Sequence, residues 1–391
     1  MRAAVEEARQ EARKIVSDSM PDRAHMARAL RLAARGARTT QPNPRVGCVI
    51  ARGDEIVGEG WHRRAGGPHA EVFALRAAGD RARGATACVT LEPCGLHGRT
   101  PPCADALIAA GVARVVVACE DPFQREGGAL DRLRGAGVMV ETGLMREAAR
   151  ELNRGFFSRV ERGRPWLRVK LAMSLDGRTA LANGESKWIT GDAARADVQR
   201  WRARSSAILT GRGTVLADDP RLTVRLESPP AHPAEGEGKD SFVPPLRVVL
   251  DRGLRTPIGA NVLDGSAPTL VFHAPSTRKP RSGFERAELV AVETRDGGLD
   301  LSQVLAELGR RGVNELQVEA GPALCGALFA AGLVDELLLY VAPLFLGDAA
   351  RPLLALPTLA DMTMRWRLRV VEQRQVGDDL RLLLRPKSAE A

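Results

Sequence analysis

The feature that most constrains this chain is an alternation of short apolar runs with helical ones. The strand-like runs ATACVTL, ARVVVAC and VMVET are separated by the helix-like CADALIAAG and ALDRLRGAG, with EVFALRAAG ahead of them. Strands separated by helix-length crossovers pair in parallel, and a parallel sheet must be covered on both faces, so the spacing predicts an α/β fold. Upstream, DRAHMARALRLAARG reads as an amphipathic helix capped by Asp22, with Met26, Leu30 and Ala33 on its apolar side and Gly36 as its stop. RVGCVIA and EIVGEGW read as two strands of a hairpin turning at Gly53-Asp54.

A helical stretch, LMREAARELNRGFFSRV, leads to the polar turn cluster ERGRPW, beyond which a second alternating series begins. It runs through WLRVKLAMS, AARADVQRWRA, SAILT, LRVVLD, PTLVFH, AELVAV, LSQVLAELGRRG, ELQVEA, PALCGALFAAG and DELLLYVAP to two strands near Trp366–Val371 and Leu380–Leu384. A length of 391 residues favours two or three domains. The expected division is an N-terminal extension over 1–21, a first domain over 22–160 and a second over 165–391. Residues 228–245, rich in Pro, Gly and charge, are expected to form a surface insertion. Met20 is a candidate start, and the residues before it are expected to be dispensable.

No apolar run approaches the ~20 residues of a membrane span, and the N-terminus mixes acids and bases. A cytoplasmic protein with no membrane partner is expected. The formal charge of +9 is spread along the chain, only six of the 57 basic residues are lysine, and one Tyr and nine Phe offer little base stacking. No nucleic-acid partner is expected. Six cysteines are too sparse for a disulfide scaffold. Cys48, Cys88, Cys119 and Cys325 lie in apolar runs and read as packed thiols, which leaves Cys94 and Cys103.

These two belong to LEPCGLHGRTPPC, at a strand end and a helix start; GPHAEVFAL places His69 and Glu71 at another helix start. Strand ends and helix starts gather on one edge of a parallel sheet, where one His and two Cys can converge. Three N/S ligands suit zinc and leave a position for water, whose pKa then falls towards ~7. Glu71, two residues from His69, is placed to carry a proton from that water to a leaving amine. His-x-Glu followed by Pro-Cys and a second Cys is the pattern of zinc deaminases, though here eight residues rather than two separate the cysteines. A structural zinc site with His97 as fourth ligand, or a coincidental HAE beside two unpaired cysteines, are the alternatives.

PNPRVGCVI, GEGWH, PHAEVFAL and LEPCGLHGRTPPCADALIAAG together resemble the deaminase half of the bifunctional deaminase-reductases of riboflavin biosynthesis. The resemblance implies a cytidine-deaminase-like three-layer domain, Zn²⁺ on His69, Cys94 and Cys103, and Glu71 as catalytic proton shuttle. It also implies substrate contacts from Asn43, His62 and Arg99, the last near a phosphate. Gly95-Leu96 stands where that family usually has Ser-His.

In the second series GRGTVL lacks the third glycine of a dinucleotide fingerprint, yet Gly211–Thr214 and AGPAL each follow a strand and open a helix, where backbone N–H groups can hold phosphate. KLAMSLDGRTA, GESKWITG, AILTGRGTVLADDPRLTVR and VEAGPALCGAL resemble the reductase half of the same family. This implies a dihydrofolate-reductase-like domain with NADPH contacts at Ala172, Trp188, Thr214, Asp218, Gly321, Pro322, Ala323, Leu324, Cys325, Gly326 and Ala327. Substrate contacts are implied at Ser186, Arg202, Leu222, Arg225 and Glu319, the two arginines serving as forks for a ribose 5′-phosphate. Lys170 and Asp176 flank the cofactor strand, and Arg252 stands where a small hydroxyl residue is common. The implied activity is zinc-dependent deamination of a phosphorylated pyrimidine, then NADPH reduction of its ribosyl group. A nucleic-acid or nucleoside zinc deaminase with an appended domain, and a non-catalytic zinc-stapled binding protein, are the rivals. The oligomeric state stays open, a homo-oligomer included.

Overall fold

The computed structural model describes residues 19–95, 102–124, 128–226, 242–278 and 282–387. Arg99, His97, Leu96 and most of the expected insertion lie outside these residues. The chain divides between Arg162 and Gly163 into two units, each with its own sheet. Among the described residues no helix is long and apolar enough to cross a membrane.

The first unit is built on strands β1 (Gly47–Arg52), β2 (Glu55–Trp61), β3 (Thr86–Val89), β4 (Arg114–Val117) and β5 (Met139–Thr142), in the order β2-β1-β3-β4-β5. β3, β4 and β5 are parallel, as the crossover spacing predicts, while β1 runs antiparallel to both of its neighbours. Helices α1 (Met20–Ala34), α2 (Ala70–Ala78), α3 (Cys103–Ala109) and α4 (Ala129–Gly135) accompany them, followed by α5 (Arg146–Leu152) and α6 (Arg154–Arg162). Two apolar clusters form its core, one holding Cys48, Ile50, Val89, Leu107, Val115 and Leu133, the other Met26, Leu32, Val49, Val116, Phe156 and Phe157.

Two expectations need correction here. α1 is capped by Ser19, whose Oγ accepts the Asp22 N–H at 3.3 Å, because Pro21 at the first turn starts the helix early. Asp22 lies inside that turn, bridged by both Nη atoms of Arg114 at 2.9 Å, and Gly36 falls in a 3₁₀ turn (Arg35–Arg38) beyond the helix end. The single helical stretch before the unit boundary is broken at Asn153, whose amide pairs with both the N–H and the C=O of Arg45 at 2.8 Å.

Glycine sets the position of α2. A Cβ at Gly58 would lie 2.3 Å from the Ala74 carbonyl and one at Gly60 would lie 2.2 Å from that of Ala70, so α2 rests directly on the β2 backbone. That contact fixes where the helix start, with His69 and Glu71, is presented.

The second unit carries a nine-stranded sheet. β6 (Trp166–Ser174), β8 (Ala207–Gly211), β9 (Leu246–Leu250), β10 (Thr269–His273), β11 (Glu288–Ala291), β14 (Glu315–Val318), β15 (Glu336–Ala342), β17 (Leu368–Val376) and β18 (Asp379–Pro386) are arranged β11-β10-β9-β8-β14-β6-β15-β18-β17. The first seven in that order are parallel, and β18 runs antiparallel to its neighbours β15 and β17. Leu167, Leu209, Phe272, Leu316, Val318 and Leu339 anchor the larger core on one side. Two short ribbons, β7 (Arg178–Ala180) with β16 (Arg351–Pro352) and β12 (Thr294–Arg295) with β13 (Gly298–Leu299), have too few residues for an alternation to announce them. Helices α7 (Asp192–Arg204), α8 (Arg212–Asp218), α9 (Leu301–Arg310) and α10 (Pro322–Ala330) complete the unit.

Candidate active sites

In the first unit the loop after β3 and the starts of α2 and α3 meet. His69 is the N-cap residue of α2, Cys103 is the first residue of α3, and Cys94 lies in the loop between β3 and α3. His69 Nδ1 is 3.4 Å from Cys94 Sγ and 3.3 Å from Cys103 Sγ. Zinc bonds of ~2.3 Å to sulfur and ~2.0–2.1 Å to nitrogen, opened to a tetrahedral angle, span roughly 3.6 Å, so this donor set fits zinc with little rearrangement.

The Cys103 N–H donates to Cys94 Sγ at 3.2 Å. A hydrogen bond from the Cys103 thiol, with His69 beside it, holds the Cys94 thiol well below its ordinary pKa. The same bond and burial push the Cys103 thiol up.

Glu71, in the first turn of α2, is 2% exposed, and its Oε2 is buried without a hydrogen-bond partner. Burial pushes its carboxyl up to about 7. A buried acid with a vacant oxygen near three metal-type donors is of no use to a purely structural site.

Asn43 and His62 lie beside this cluster. Pro68 C=O can only accept, so His62 Nδ1 carries the proton at 3.0 Å from it and Nε2 accepts from Asn43 Nδ2 at 3.1 Å. The His62 ring stands edge-on to that of His69, centroids 5.4 Å apart. One side chain that sequence reading missed also reaches the cluster: Gln124, in the loop after β4, bonds to Gly95 N–H at 2.7 Å and Pro93 C=O at 3.1 Å. The edge rule that located Cys94 points equally to this neighbouring loop.

In the second unit several of the expected residues lie at or just after the C-terminal ends of parallel strands, while Ser186, Trp188 and Arg225 lie in loops. Ala172 lies on β6; Thr214 and Asp218 lie on α8, directly after β8. Gly321–Ala327 follows β14 and opens α10, and a Cβ at Gly211 would lie 3.4 Å from Leu324 Cδ2, so the two glycine-bearing turns are neighbours. Trp188 is 68% exposed with the Arg195 guanidinium 4.5 Å from its ring centroid. Ser186 is half-buried in the same loop.

Arg202 and Glu319 do not stand apart as two substrate contacts. Arg202 spends Nε and Nη2 on the two Glu319 oxygens, both at 2.7 Å, and Nη1 on Thr223 C=O at 2.9 Å. Burial alone would raise the Glu319 carboxyl, but Arg202, with Lys170 and Gln317, brings it down to about 2. Burial lowers the ammonium pKa of Lys170, against the pull of Glu319. Leu222, at φ 51°, buries its side chain in the core with Ile208, Val215 and Val249, which leaves only its backbone for a ligand. Arg225 is exposed. Asp176 ties the SLDG turn to the N–H groups of Leu346 and Gly347, and Arg252 donates to Gly297 C=O.

Comparison with known proteins accounts for both units. The family model of the cytidine and deoxycytidylate deaminase zinc-binding region matches residues 19–119, and that of the RibD C-terminal domain matches residues 165–382. The chain is 50% identical over 367 residues to riboflavin biosynthesis protein RibD of Escherichia coli, covering 93% of this chain and 99% of that protein. Acinetobacter baumannii RibD has the same fold at 42% identity, with a TM-score of 0.85 over 94% of this chain and 99% of that one. A Thermotoga maritima diaminohydroxyphosphoribosylaminopyrimidine deaminase/5-amino-6-(5-phosphoribosylamino)uracil reductase follows at 31% identity and a TM-score of 0.80, over 94% of this chain and 99% of that one. The reductase match favours this reading over a nucleic-acid or nucleoside deaminase with an unrelated appendage. A cytidine-deaminase-like N-terminal domain with zinc and a RibD reductase domain with NADPH, in one chain matched nearly end to end, make it a member of the RibD family of bifunctional riboflavin biosynthesis enzymes.

Proposed function

We propose that the first unit hydrolyses the 2-amino group of 2,5-diamino-6-(5-phosphoribosylamino)pyrimidin-4-one, and that the second then reduces the ribosyl group of the product to ribityl with NADPH, in the cytoplasm. The observation that carries this is the convergence of His69, Cys94 and Cys103 beside the vacant oxygen of Glu71. The Thermotoga relative, described as acting on this pyrimidine, supports the substrate class.

His69, Cys94 and Cys103 would hold zinc, which would supply the Lewis acidity that makes water nucleophilic at neutral pH. Glu71 Oε2 takes a proton from the attacking water and returns it to the departing amine, so that water is consumed and ammonia leaves. A carboxyl that burial raises is suited to carry the proton in both directions. His62 presents a fixed tautomer, and Asn43 holds its Nε2 in place. Arg99 is carried over as the phosphate contact of this site.

In the second unit the turns after β8 and β14 hold NADPH, with exposed Trp188 a further contact. Glu319, held by Arg202, meets the substrate, and exposed Arg225 meets its phosphate. NADPH bound there would supply a hydride for C1′ of the opened ribosyl imine while its nitrogen takes a proton from solvent, chemistry that depends chiefly on alignment. The test is to supply the pyrimidine with and without NADPH and follow ammonia and cofactor absorbance. Ammonia is expected in both cases and oxidation only with NADPH; oxidation preceding ammonia release would overturn the order.

A further inference from the structure

We infer that Gln124 is a positioning residue of the metal centre, its amide clamping the main chain on both sides of Cys94 and so aiming that thiolate. The inference rests on His69, Cys94 and Cys103 being the zinc ligands. Two of these are set by helices, His69 as the N-cap of α2 and Cys103 as the first residue of α3. Cys94 lies in a loop segment with no helix or strand of its own to fix it.

Gln124 supplies a restraint from the side of the loop after β4. Its Oε1 accepts the Gly95 N–H at 2.7 Å and its Nε2 donates to Pro93 C=O at 3.1 Å, with Asp121 Oδ2 a further acceptor at 3.5 Å. The loop that carries it is itself tied to the end of β3: Asp121 N–H donates to Glu92 Oε2 at 3.1 Å, and Glu92 N–H to Cys119 C=O at 2.9 Å. Cys94 C=O accepts from Ala104 N–H at 3.2 Å, which holds the segment from the α3 side as well.

The chemistry selects an amide. One flank of Cys94 offers a carbonyl and the other an N–H, so the clamp needs a donor and an acceptor at the separation found in one planar group. Glutamate would set an oxygen against the Pro93 carbonyl, and asparagine is one methylene short. Gly95 lets the loops close: a Cβ there would lie 2.9 Å from Ala129 N and 3.2 Å from Ala129 Cα, so the segment lies against the backbone of α4. Partners that orient metal ligands typically change metal affinity 10- to 100-fold when removed.

The full-length protein with Gln124→Ala and with Gln124→Met, the latter keeping the stem volume, tests this. Zinc affinity is read by competition with a chromophoric chelator, and ligand geometry from the thiolate-to-metal and d–d bands of the Co²⁺-loaded protein. Both variants are expected to bind one metal ion per chain, about 10-fold or more weakly, with altered Co²⁺ bands and an unchanged far-ultraviolet circular dichroism. Wild-type affinity and bands in both variants would overturn the inference; if only one variant folds, that one decides. A Cys94→Ser protein that bound zinc as tightly as wild type would instead overturn the ligand assignment, whatever Gln124 does.

Discussion

Arg202 and Glu319, 117 residues apart, form a two-point ion pair with both contacts at 2.7 Å in the largely buried interior of the second unit. Removing one partner of such a pair strands the other charge, at a cost of about 3–5 kcal/mol. Glu319→Gln is expected to lower the melting temperature of the second unit by roughly 10 °C and NADPH oxidation by one to two orders of magnitude, with ammonia release unaffected. Adding Arg202→Gln should restore part of the stability, because no buried charge is then unpaired; a double-mutant cycle by calorimetry reads this coupling.

The same pair predicts an acid dependence. The Glu319 carboxyl is held at about 2, below the ~4.3 of an unfolded chain. Its folded-state pKa is depressed, so its contribution is complete above pH ~4.3 and is lost as pH falls towards 2. Acid unfolding of the wild type followed by tryptophan fluorescence should therefore steepen in that window, and Glu319→Gln should flatten it.

Glu71 gives a sharper separation of activities. The metal-type donor group is His69, Cys94 and Cys103, without Glu71, so Glu71→Gln should retain zinc while ammonia release falls 10²- to 10⁴-fold, the usual weight of a general acid-base group. Chelator treatment of the wild type should abolish ammonia release by removing the metal itself. Reduction of separately supplied deaminated intermediate should survive both; loss of zinc from Glu71→Gln on metal analysis would contradict the role.

These contrasts follow the line between what sequence made legible and what it did not. Crossover spacing announced the parallel strands of both sheets, and His-x-Glu with two cysteines announced a metal-type cluster, because each pattern is written in one short segment. The antiparallel placement of β1 beside β3 was not written locally, since it depends on a hairpin joining the edge of a sheet formed later in the chain. The Arg202–Glu319 pair and the Gln124 bonds join segments far apart in sequence: Arg202 and Glu319 read as separate substrate contacts because no local pattern joins them, and nothing beside Gln124 marks its partners. The α1 cap was misread for the opposite reason: two adequate caps, Ser19 and Asp22, stood three residues apart, and Pro21 decided between them.

Asn43 and His62 make a smaller, testable contribution. Asn43→Ala leaves His62 Nε2 without its 3.1 Å donor while the 3.0 Å bond to Pro68 keeps the tautomer. One net hydrogen bond is worth about 0.5–1.5 kcal/mol, so KM for deamination should rise roughly 3- to 10-fold with kcat little changed. A fall in kcat at unchanged KM in steady-state assays would place Asn43 in the chemical step instead.

Gly321 tests the nucleotide site without disturbing the fold. It caps α10 at φ −74°, an ordinary value for any residue, and a Cβ built there meets no atom within 4 Å. Packing therefore does not require glycine at this position. The freedom matters only if something outside the protein must approach the backbone N–H groups at the helix start, as a dinucleotide phosphate does. Gly321→Val should lower the melting temperature by no more than about 4 °C, since replacing an N-cap glycine by a branched residue costs about 1 kcal/mol. It should weaken NADPH binding at least about 10-fold by calorimetric titration, because the branched side chain fills the approach to those N–H groups. Wild-type affinity in Gly321→Val would move the phosphate site to the neighbouring turn at Gly211–Thr214.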